Sequence, residues 1–414
     1  MKNLLDKILY KWIDIFCNHR HNLLMVYCVV MLFLMLGLIS DSGTQYISYL
    51  LVYTSVFLLT YFLSEKLFNQ SVFLNRIIST VISKIEVKKV EIFSIVILMA
   101  TVLFMAVHFI YLGGVPTIRA WFSNDSFKIY EIRKSVTADS SELINYLSSF
   151  TLKAIIPFLL IFFYQKGNWK IFIPVFVVSL FYCLSLIAKS FVVTSFIPLL
   201  IFCFYKRHFF RFILFGLIIF GGLNFLMFIA NPSLRSGDTN TKIVSDRIID
   251  KGAGLESSMS NLLDRTFYIP GKTVSGWFET IPSQKPFLNG CGFRFIAPIK
   301  NCEYRNYSSE LYELMYPEYA KLGYAGEVNV ASFMYDYSNF GWIGIIYSAI
   351  ILALIFVFIN FLFLENNFIK LCINIFYVLM LSSSSFLTLL LSGGWALIII
   401  LFLIFRKGFV KTTT

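Results

Sequence analysis

The sequence predicts an all-α integral membrane protein that crosses a bilayer about ten times, with a large loop domain on one side. Three observations indicate this class. Of the 414 residues, 58% are hydrophobic. Only 14% are charged, against about 25% in an ordinary soluble domain. The mean hydropathy is +0.75. The apolar residues also collect in stretches close to the length that a helix needs to span a bilayer. Lipid must therefore solvate much of the folded surface.

The apolar stretches place the helices in order along the chain. They predict spans over residues 22–40, 46–64, 91–112, 144–165, 169–187, 189–205, 211–230, 339–363, 369–391 and 393–406. The sixth and tenth are short, and the fifth and sixth meet near Lys189 with almost no loop. The resulting domains are an N-terminal bundle (1–230, with a loop at 113–143), a loop domain (231–338) and a C-terminal bundle (339–414).

The distribution of Lys and Arg between alternate loops predicts the orientation, because cytoplasmic loops are enriched in these residues. One side holds eighteen basic residues: Lys2, Lys7, Lys11, Arg20, Lys66, Arg76, Lys84, Lys88, Lys89, Lys166, Lys170, Lys206, Arg207, Arg211, Lys370, Arg406, Lys407 and Lys411. The same side holds six acidic residues, so the difference equals the whole net charge of +12. We expect this side, with both termini, to be cytoplasmic.

Composition also excludes several kinds of site. The basic pI near 9.2 is typical of nucleic-acid-binding proteins, but topology and attraction to anionic lipid account for the excess charge, so no nucleic acid is expected. The seven cysteines form no CxxC pair and the four histidines are scattered, which argues against a metal site. The N-terminus has no pattern of a removable signal peptide, and no repeat of fixed period occurs.

The 231–338 loop is too long to lack structure of its own. Its patterns predict helices over 241–251, 256–268 and 308–322, in a polar segment with balanced charge. Cys291 and Cys302 are the two cysteines that the topology puts outside the cytoplasm and the membrane. An oxidising compartment would let them form a disulfide; the alternative is a pair of free thiols.

Several cations of the outer segments are candidates for binding phosphate groups. They are Arg119, Arg133, Arg235, Arg265 and Arg294. A guanidinium is planar, permanently charged and able to bind phosphate in a bidentate manner. The alternative is that each arginine anchors the chain at the interface or pairs with a carboxylate.

Two lysines lie at or within apolar sequence. An ionisable group within the membrane is costly and suggests a function. Lys153 could instead extend along its own helix toward water, and Lys189 could be an ordinary loop residue.

Two carboxylates of the outer side, Glu327 and Asp336, are candidate general bases. Either could take the proton of a sugar hydroxyl held within hydrogen-bonding distance. Asn329 and Tyr335 lie beside them in the sequence and are candidates for substrate binding. The alternative for Glu327 is a residue at a helix end or in an ion pair.

A set of short motifs resembles the bacterial oligosaccharide repeat-unit polymerases, the O-antigen polymerase (Wzy-type) family. The motifs are Gly-Gly-x-Pro at 113–116, an arginine followed by an aromatic residue and Pro-Gly at 265–271, Gly-Glu-x-Asn at 326–329, Tyr-Asp at 335–336 and Phe-Gly-x-x-Gly at 340–344. The resemblance covers roughly residues 91–350.

This resemblance implies a GT-C-like membrane glycosyltransferase of the bacterial inner membrane. Its substrates would be an undecaprenyl-diphosphate-linked oligosaccharide donor and a like acceptor, joined into O-antigen or a related surface polysaccharide of lipopolysaccharide biosynthesis. It implies no cofactor and no metal, and leaves open a chain-length regulator protein as partner. By position, Arg119, Arg235, Arg265 and Arg294 would face diphosphate and glycan, and Glu327 with Asn329 would line the acceptor side. Lys189 stands where relatives more often have arginine.

Three other functions compete with the polymerase. An O-antigen ligase shares the lipid-linked donor and the topology, but transfers the glycan to a different lipid. A lipid-linked glycan transporter or flippase would be expected to show inverted repeats and polar residues at the midplane. A membrane sensor would be expected to have a cytoplasmic output domain, and no predicted cytoplasmic segment is long enough to form one.

Overall fold

The fold is given by a computed structural model of the chain, which describes residues 15–41, 43–71, 89–123, 125–137, 141–230, 268–321, 323, 326–363 and 366–409. Within these ranges the protein is helical and contains no β-strand. The helices are α1 Asn22–Ser40, α2 Ile47–Gln70, α3 Val90–Tyr111, α4 Pro116–Trp121, α5 Ser126–Thr137, α6 Glu142–Lys166, α7 Trp169–Ser185, α8 Lys189–Tyr205, α9 Phe209–Ala230, α10 Ile269–Thr280, α11 Tyr307–Met315, α12 Pro317–Lys321, α13 Ser332–Leu362, α14 Asn367–Met380, α15 Phe386–Leu390, α16 Trp395–Ile404 and α17 Arg406–Phe409.

The helices have the length and composition of a polytopic membrane protein. In the described part of the chain, seven segments are long and apolar enough to cross a bilayer: α1, α2 with its preceding turn, α3, α6, α9, α13, and the segment that joins α15 and α16. Three more apolar helices, α7, α8 and α14, are shorter. The all-α membrane class is therefore confirmed, while the count of ten crossings stays a prediction.

The connections between these helices lie at two ends of the bundle. Residues 268–321 and 326–329 lie at one end, which we call the disulfide face because it carries Cys291–Cys302. The opposite end, the basic face, carries Arg20, Lys166 and Lys206. The structure confirms the predicted disulfide between Cys291 and Cys302, whose Cα atoms are 6.0 Å apart.

Some predicted boundaries are wrong. The span predicted over 369–391 ends at Met380, where a run of four serines turns the chain. Serine hydroxyls compete with the backbone for hydrogen-bond partners and so favour turns over helix. Ser382 Oγ donates in this way to Leu379 O. The helix predicted over 308–322 is divided into α11 and α12 because Pro317 cannot continue a helix. The helices predicted over 241–251 and 256–268 lie outside the described residues, apart from residue 268.

The helix predicted to begin at residue 339 begins at Ser332 and bends back on itself. Gly341 has φ 59° and ψ −134°, a conformation that side chains disfavour, so it separates the first half-helix from the second. A Cβ added at Gly344 would lie 2.1 Å from the carbonyl oxygen of Asp336. Eight residues of straight helix would separate those positions by roughly 12 Å. The half-helix before Gly341 therefore packs against the start of the half-helix after it.

Asn339 holds the disulfide loop onto this bend. Its side-chain oxygen accepts hydrogen bonds from the backbone N–H groups of Gly290 (3.1 Å) and Gly292 (3.0 Å), and its amide donates to Tyr335 O. The side chain is buried. Because a buried amide with several partners is costly to remove, this residue fixes the loop relative to the bundle.

Lys370 lies inside the basic face rather than in a loop, contrary to its use in the sequence as a loop cation. Its side chain has 0% exposure. Its ammonium donates to Arg20 O (2.6 Å), Asn360 Oδ1 (2.7 Å) and Asn367 Oδ1 (3.2 Å). Three oxygens use all three donors of the group. The lysine therefore joins the chain before α1 to α13 and α14.

Candidate functional site

Five of the predicted site residues that the structure describes fall into two groups on the disulfide face: Arg119 in the first, and Arg294, Glu327, Asn329 and Tyr335 in the second. The first group surrounds a cavity of about 500 Å³ between α4 and α5. The cavity is lined by Arg119, Lys128, Glu131, Ile132, Lys134 and Ser135. With three cations and one carboxylate, the lining carries a formal charge of +2. An open, positively charged cleft at the end of a membrane bundle is suited to an anionic ligand.

Arg119 is set in this cavity by the turn that ends α3. Gly113 and Gly114 have positive φ, which allows the chain to reverse before Pro116 begins α4. The Arg119 guanidinium donates to Leu112 O at 3.0 Å, which leaves its other N–H groups available. Arg133 is exposed on α5 but does not line the cavity.

The sequence analysis missed Lys128 and Lys134. Lys128, Glu131, Ile132 and Ser135 recur at the spacing of one helix face, and all four line the cavity. A helix prediction over residues 126–137, made from this spacing, would have brought them together.

The second group surrounds Tyr304, which was also missed. Arg294 lies over the Tyr304 ring at 5.2 Å and 3.7 Å from a carboxylate oxygen of Glu142. The hydrogen bond with Tyr304 raises the pKa of Arg294 above its usual value, so the group remains a cation. The contact between Arg294 and Glu142 links the disulfide loop to the start of α6. The pair with Glu142 is mostly exposed and is expected to be weak.

Glu327 and Asn329 lie beside this group on an extended segment that leads into α13. Both are exposed, whereas Val328 and Val330 between them are buried, so the two polar side chains share one face. Hydrogen bonds hold the segment at Val328: its N–H donates to Ser308 O at 2.8 Å, and its carbonyl accepts from Trp277 Nε1 at 3.3 Å.

Tyr335 connects the segment to the rest of the group. Its hydroxyl donates to Asn329 Oδ1 at 3.5 Å, and its ring lies 5.2 Å from that of Trp277. Glu327 and Tyr304 both lie near it. Glu327, Asn329, Tyr335 and Arg294 are therefore brought to one region around Tyr304.

Asp336 belongs to a different environment. It is half-buried and accepts a hydrogen bond from Tyr347 OH at 2.8 Å across the bend at Gly341. Of the two candidate general bases, Glu327 is therefore the more accessible carboxylate. Lys189 is half-buried and begins α8. Arg235 and Arg265 lie outside the described residues.

The described residues include no group of three His, Cys, Asp or Glu side chains that could hold a metal ion. No protein-family model, no curated protein and no solved structure matches the chain. The function is therefore argued from the geometry and the motifs alone.

Proposed function

We propose that the chain is a membrane glycosyltransferase that polymerises undecaprenyl-diphosphate-linked oligosaccharide repeat units into a surface polysaccharide such as O-antigen. One observation carries the proposal: a cleft with three cations on the disulfide face of a membrane bundle. The same face presents an exposed carboxylate and amide, Glu327 and Asn329, next to aromatic side chains. An anionic lipid headgroup and a glycan both find suitable partners there.

The topology that we propose places the disulfide face outside and both termini in the cytoplasm of the bacterial inner membrane. The Cys291–Cys302 disulfide supports this orientation, because disulfides persist in oxidising compartments. The concentration of Lys and Arg at the basic face supports it independently. With this orientation, the seven long apolar segments would cross the bilayer, and the count of ten crossings remains part of the proposal.

The proposed reaction makes one glycosidic bond and breaks another. A hydroxyl oxygen of the acceptor attacks the anomeric carbon of the donor, and the bond from that carbon to the diphosphate oxygen breaks. Glu327 takes the hydroxyl proton as general base. Arg119, Lys128 and Lys134 stabilise the charge that develops on the leaving diphosphate without reorganising. Protein side chains supply every role in this scheme.

The partners implied are the lipid-linked donor and acceptor, the bilayer and, for control of product length, a chain-length regulator protein. The ligase shares the donor and differs in its acceptor. No contact in the described residues favours the ligase or a transporter over the polymerase, so the experiment must separate them.

The test is deletion of the gene in its host, followed by electrophoresis of the surface polysaccharide. Loss of a polymerase leaves lipid capped with one repeat unit, whereas loss of a ligase leaves bare lipid core and carrier-linked polymer. We expect the one-unit pattern. Bare core with accumulated polymer would instead assign the ligase, and an unchanged ladder would reject both.

Complementation with variants then tests the site. Arg119→Ala and Glu327→Gln should each lose most of the ladder, by roughly a hundredfold in rate for the general base. Lys321→Ala is the matched control, because Lys321 is an exposed cation of the same face that lines neither group. A full ladder from Glu327→Gln would remove this carboxylate from the mechanism.

A further inference from the structure

Two helices of the bundle stop well short of the disulfide face. α14 has 14 residues and α16 has 10, so they measure roughly 21 Å and 15 Å. Neither length covers the hydrocarbon core of about 30 Å. α15 does not extend α16 as a straight helix, because the rings of Phe386 and Trp395 are only 6.0 Å apart. In a straight helix, two residues that are nine positions apart point to opposite sides of the helix axis, so their rings could not meet.

Ring contacts give the depth at which these helices stop. Trp395, the first residue of α16, stacks on Tyr377 (5.5 Å) and lies 6.5 Å from Phe356. Phe356 in turn contacts Tyr27 (5.5 Å) and Phe57 (5.6 Å). These five rings form one layer across the bundle, which we call the aromatic layer.

The aromatic layer lies at the middle of the bundle or between the middle and the basic face, since Tyr27 is only five residues from the start of α1 at Asn22 and Phe356 is six from the end of α13 at Leu362. Tyr27 is thirteen residues from the end of α1 at Ser40, or roughly 20 Å. Phe57 is ten residues from the start of α2 at Ile47, or roughly 15 Å. α16 therefore begins about halfway through a bilayer.

Irregular backbone collects at this depth. The N–H of Ser332, where α13 begins, donates to the carbonyl of Leu381, where α14 has just ended, at 2.8 Å. The serines at 382–385 follow directly and are all partly exposed. Within the hydrocarbon region, such backbone is tolerated where protein covers it or where it lines a water-filled cavity.

Lys153 joins this region from the neighbouring helix. α6 contains one π-helical turn, Thr151–Ile155, whose carbonyls receive bonds from other helices: Tyr377 OH donates to Lys153 O and Ser195 Oγ to Leu152 O, both at 2.7 Å. Lys153 is eleven residues from the start of α6, or roughly 17 Å. This second estimate of depth agrees with that of the aromatic layer.

The partial exposure of Lys153 is to an internal space rather than to lipid. Leu152 and Ala154 on either side of Lys153, and Ile156 and Pro157 one turn later on its own face, are all buried, so protein surrounds this part of the helix. The Lys153 ammonium makes no hydrogen bond or ion pair with any residue in the described part of the chain. An ammonium at this depth needs water or an anion.

We infer that a hydrophilic vestibule descends from the disulfide face to the middle of the bilayer, floored by Ser382–Ser385, and that Lys153 in its wall binds a phosphate group. The ammonium supplies the positive charge that binds a phosphate group, and the run of partly exposed serines supplies a polar floor beneath it. The vestibule is separate from the cavity at Arg119, and the inference does not require the polymerase to be correct. The phosphate belongs either to a lipid headgroup or to free inorganic phosphate.

Cysteine accessibility tests the vestibule in the full-length protein in sealed proteoliposomes. Ser383→Cys and Ser385→Cys should react with a membrane-impermeant methanethiosulfonate added at the disulfide face, because a thiolate forms in water and not in hydrocarbon. The control is Leu217→Cys on α9, which is 63% exposed and thirteen residues from the end of that helix, so it lies at a similar depth against lipid. We expect on the order of a hundredfold faster reaction at the serine positions. Equal, slow reaction at all three positions would overturn the vestibule.

Protection experiments test the ligand. Inorganic pyrophosphate, or a polyprenyl phosphate supplied in the bilayer, should slow the reaction of Ser385→Cys. The protection should disappear with Lys153→Met and persist with Lys153→Arg, which keeps the charge. Protection by the lipid alone assigns a headgroup, and protection by pyrophosphate as well assigns a free anion. Absence of protection, or protection that survives Lys153→Met, would overturn the phosphate site whatever the gel of surface polysaccharide shows.

Discussion

The two faces of the bundle treat a lysine in opposite ways. At the basic face, Lys370 is enclosed and all three of its donors reach oxygens. Near the aromatic layer, the Lys153 ammonium reaches no partner among the described residues. The first arrangement is that of a structural connection, because its charge is satisfied within the protein. The second keeps a charge available to something that arrives from outside. On the proposals above, the basic face holds the helices together and the disulfide face receives ligands.

Replacing each lysine by methionine tests this difference, and of the three predictions it should change the free energy of unfolding most. Lys370→Met leaves three buried oxygens without a donor and should lower the free energy of unfolding by about 3 kcal/mol. Lys153→Met removes a cation that the protein does not satisfy and should change it by less than about 1 kcal/mol. Unfolding midpoints in mixed detergent micelles measure both. Equal losses, or a larger loss for Lys153→Met, would contradict the comparison.

Reducing the disulfide should affect only the disulfide face. Cys291 and Cys302 are 11 residues apart. Closing a loop of that size stabilises by about 3 kcal/mol in the chain-entropy model. We expect faster hydrogen exchange over residues 286–306 and unchanged exchange in α1, α13 and α14 near Lys370. Loss of protection at both faces together would show that they are not separate units of stability.

The smallest effect concerns Glu310 on α11, which pairs with Lys285 (2.6 Å) and Arg305 (3.1 Å). Partial burial raises its pKa, but the hydrogen bonds and charges of the two cations outweigh burial and leave the pKa below the ordinary 4.5. Its contribution is therefore complete above the pKa of the unfolded chain and is lost as the pH falls through the lower, folded pKa. Because the groups are partly exposed, we expect less than about 1 kcal/mol.

Exchange of the α11 amides between pH 6 and 3 measures this contribution, since Glu310→Gln should remove the pH dependence there and leave that of the basic face unchanged. The same pH dependence in wild type and Glu310→Gln would assign it to other groups.

The sequence was sufficient for features that depend on one physical rule. Apolar stretches correctly predicted that the described part of the chain is built of apolar helices long enough to cross a bilayer, because membrane-spanning helices must be apolar along most of their length. The segregation of cysteines by predicted side was sufficient to pair Cys291 with Cys302. The Gly-Gly-x-Pro motif at 113–116 coincides with the turn that precedes Arg119.

Features that depend on contacts between distant segments were not predictable. The sequence predicts a loop cation at Lys370, because it does not show that three oxygens surround the ammonium. One of these oxygens belongs to Arg20, 350 residues away. The π-helical turn at Lys153 has no residue signature, and partners such as Ser195 and Tyr377 become visible only in three dimensions. Gly341 belongs to a motif that the sequence shows, but the motif does not predict that the half-helix before it folds back. That packing is visible only in the close approach of Gly344 to the carbonyl oxygen of Asp336.

The candidate site was predicted in part. Arg294, Glu327, Asn329 and Tyr335 converge around Tyr304, which the sequence did not single out. Arg119 lines a cavity together with Lys128 and Lys134. These two lysines were not predicted, because the sequence analysis did not predict the helix over residues 126–137 that carries them. Asp336, the other candidate general base, lies apart from this group because successive helical residues point in different directions, and it accepts a hydrogen bond from Tyr347.

Reconstitution tests the central claim, glycosyl transfer at the disulfide face, most directly. The purified protein in proteoliposomes should convert a lipid-diphosphate-linked repeat unit into a ladder of products that each carry one diphosphate lipid, with release of one lipid diphosphate per bond formed. Glu327→Gln should give no ladder, and Lys321→Ala should give the full one. Movement of the intact lipid-linked unit across the bilayer without any new glycosidic bond would contradict the account and assign a transporter instead.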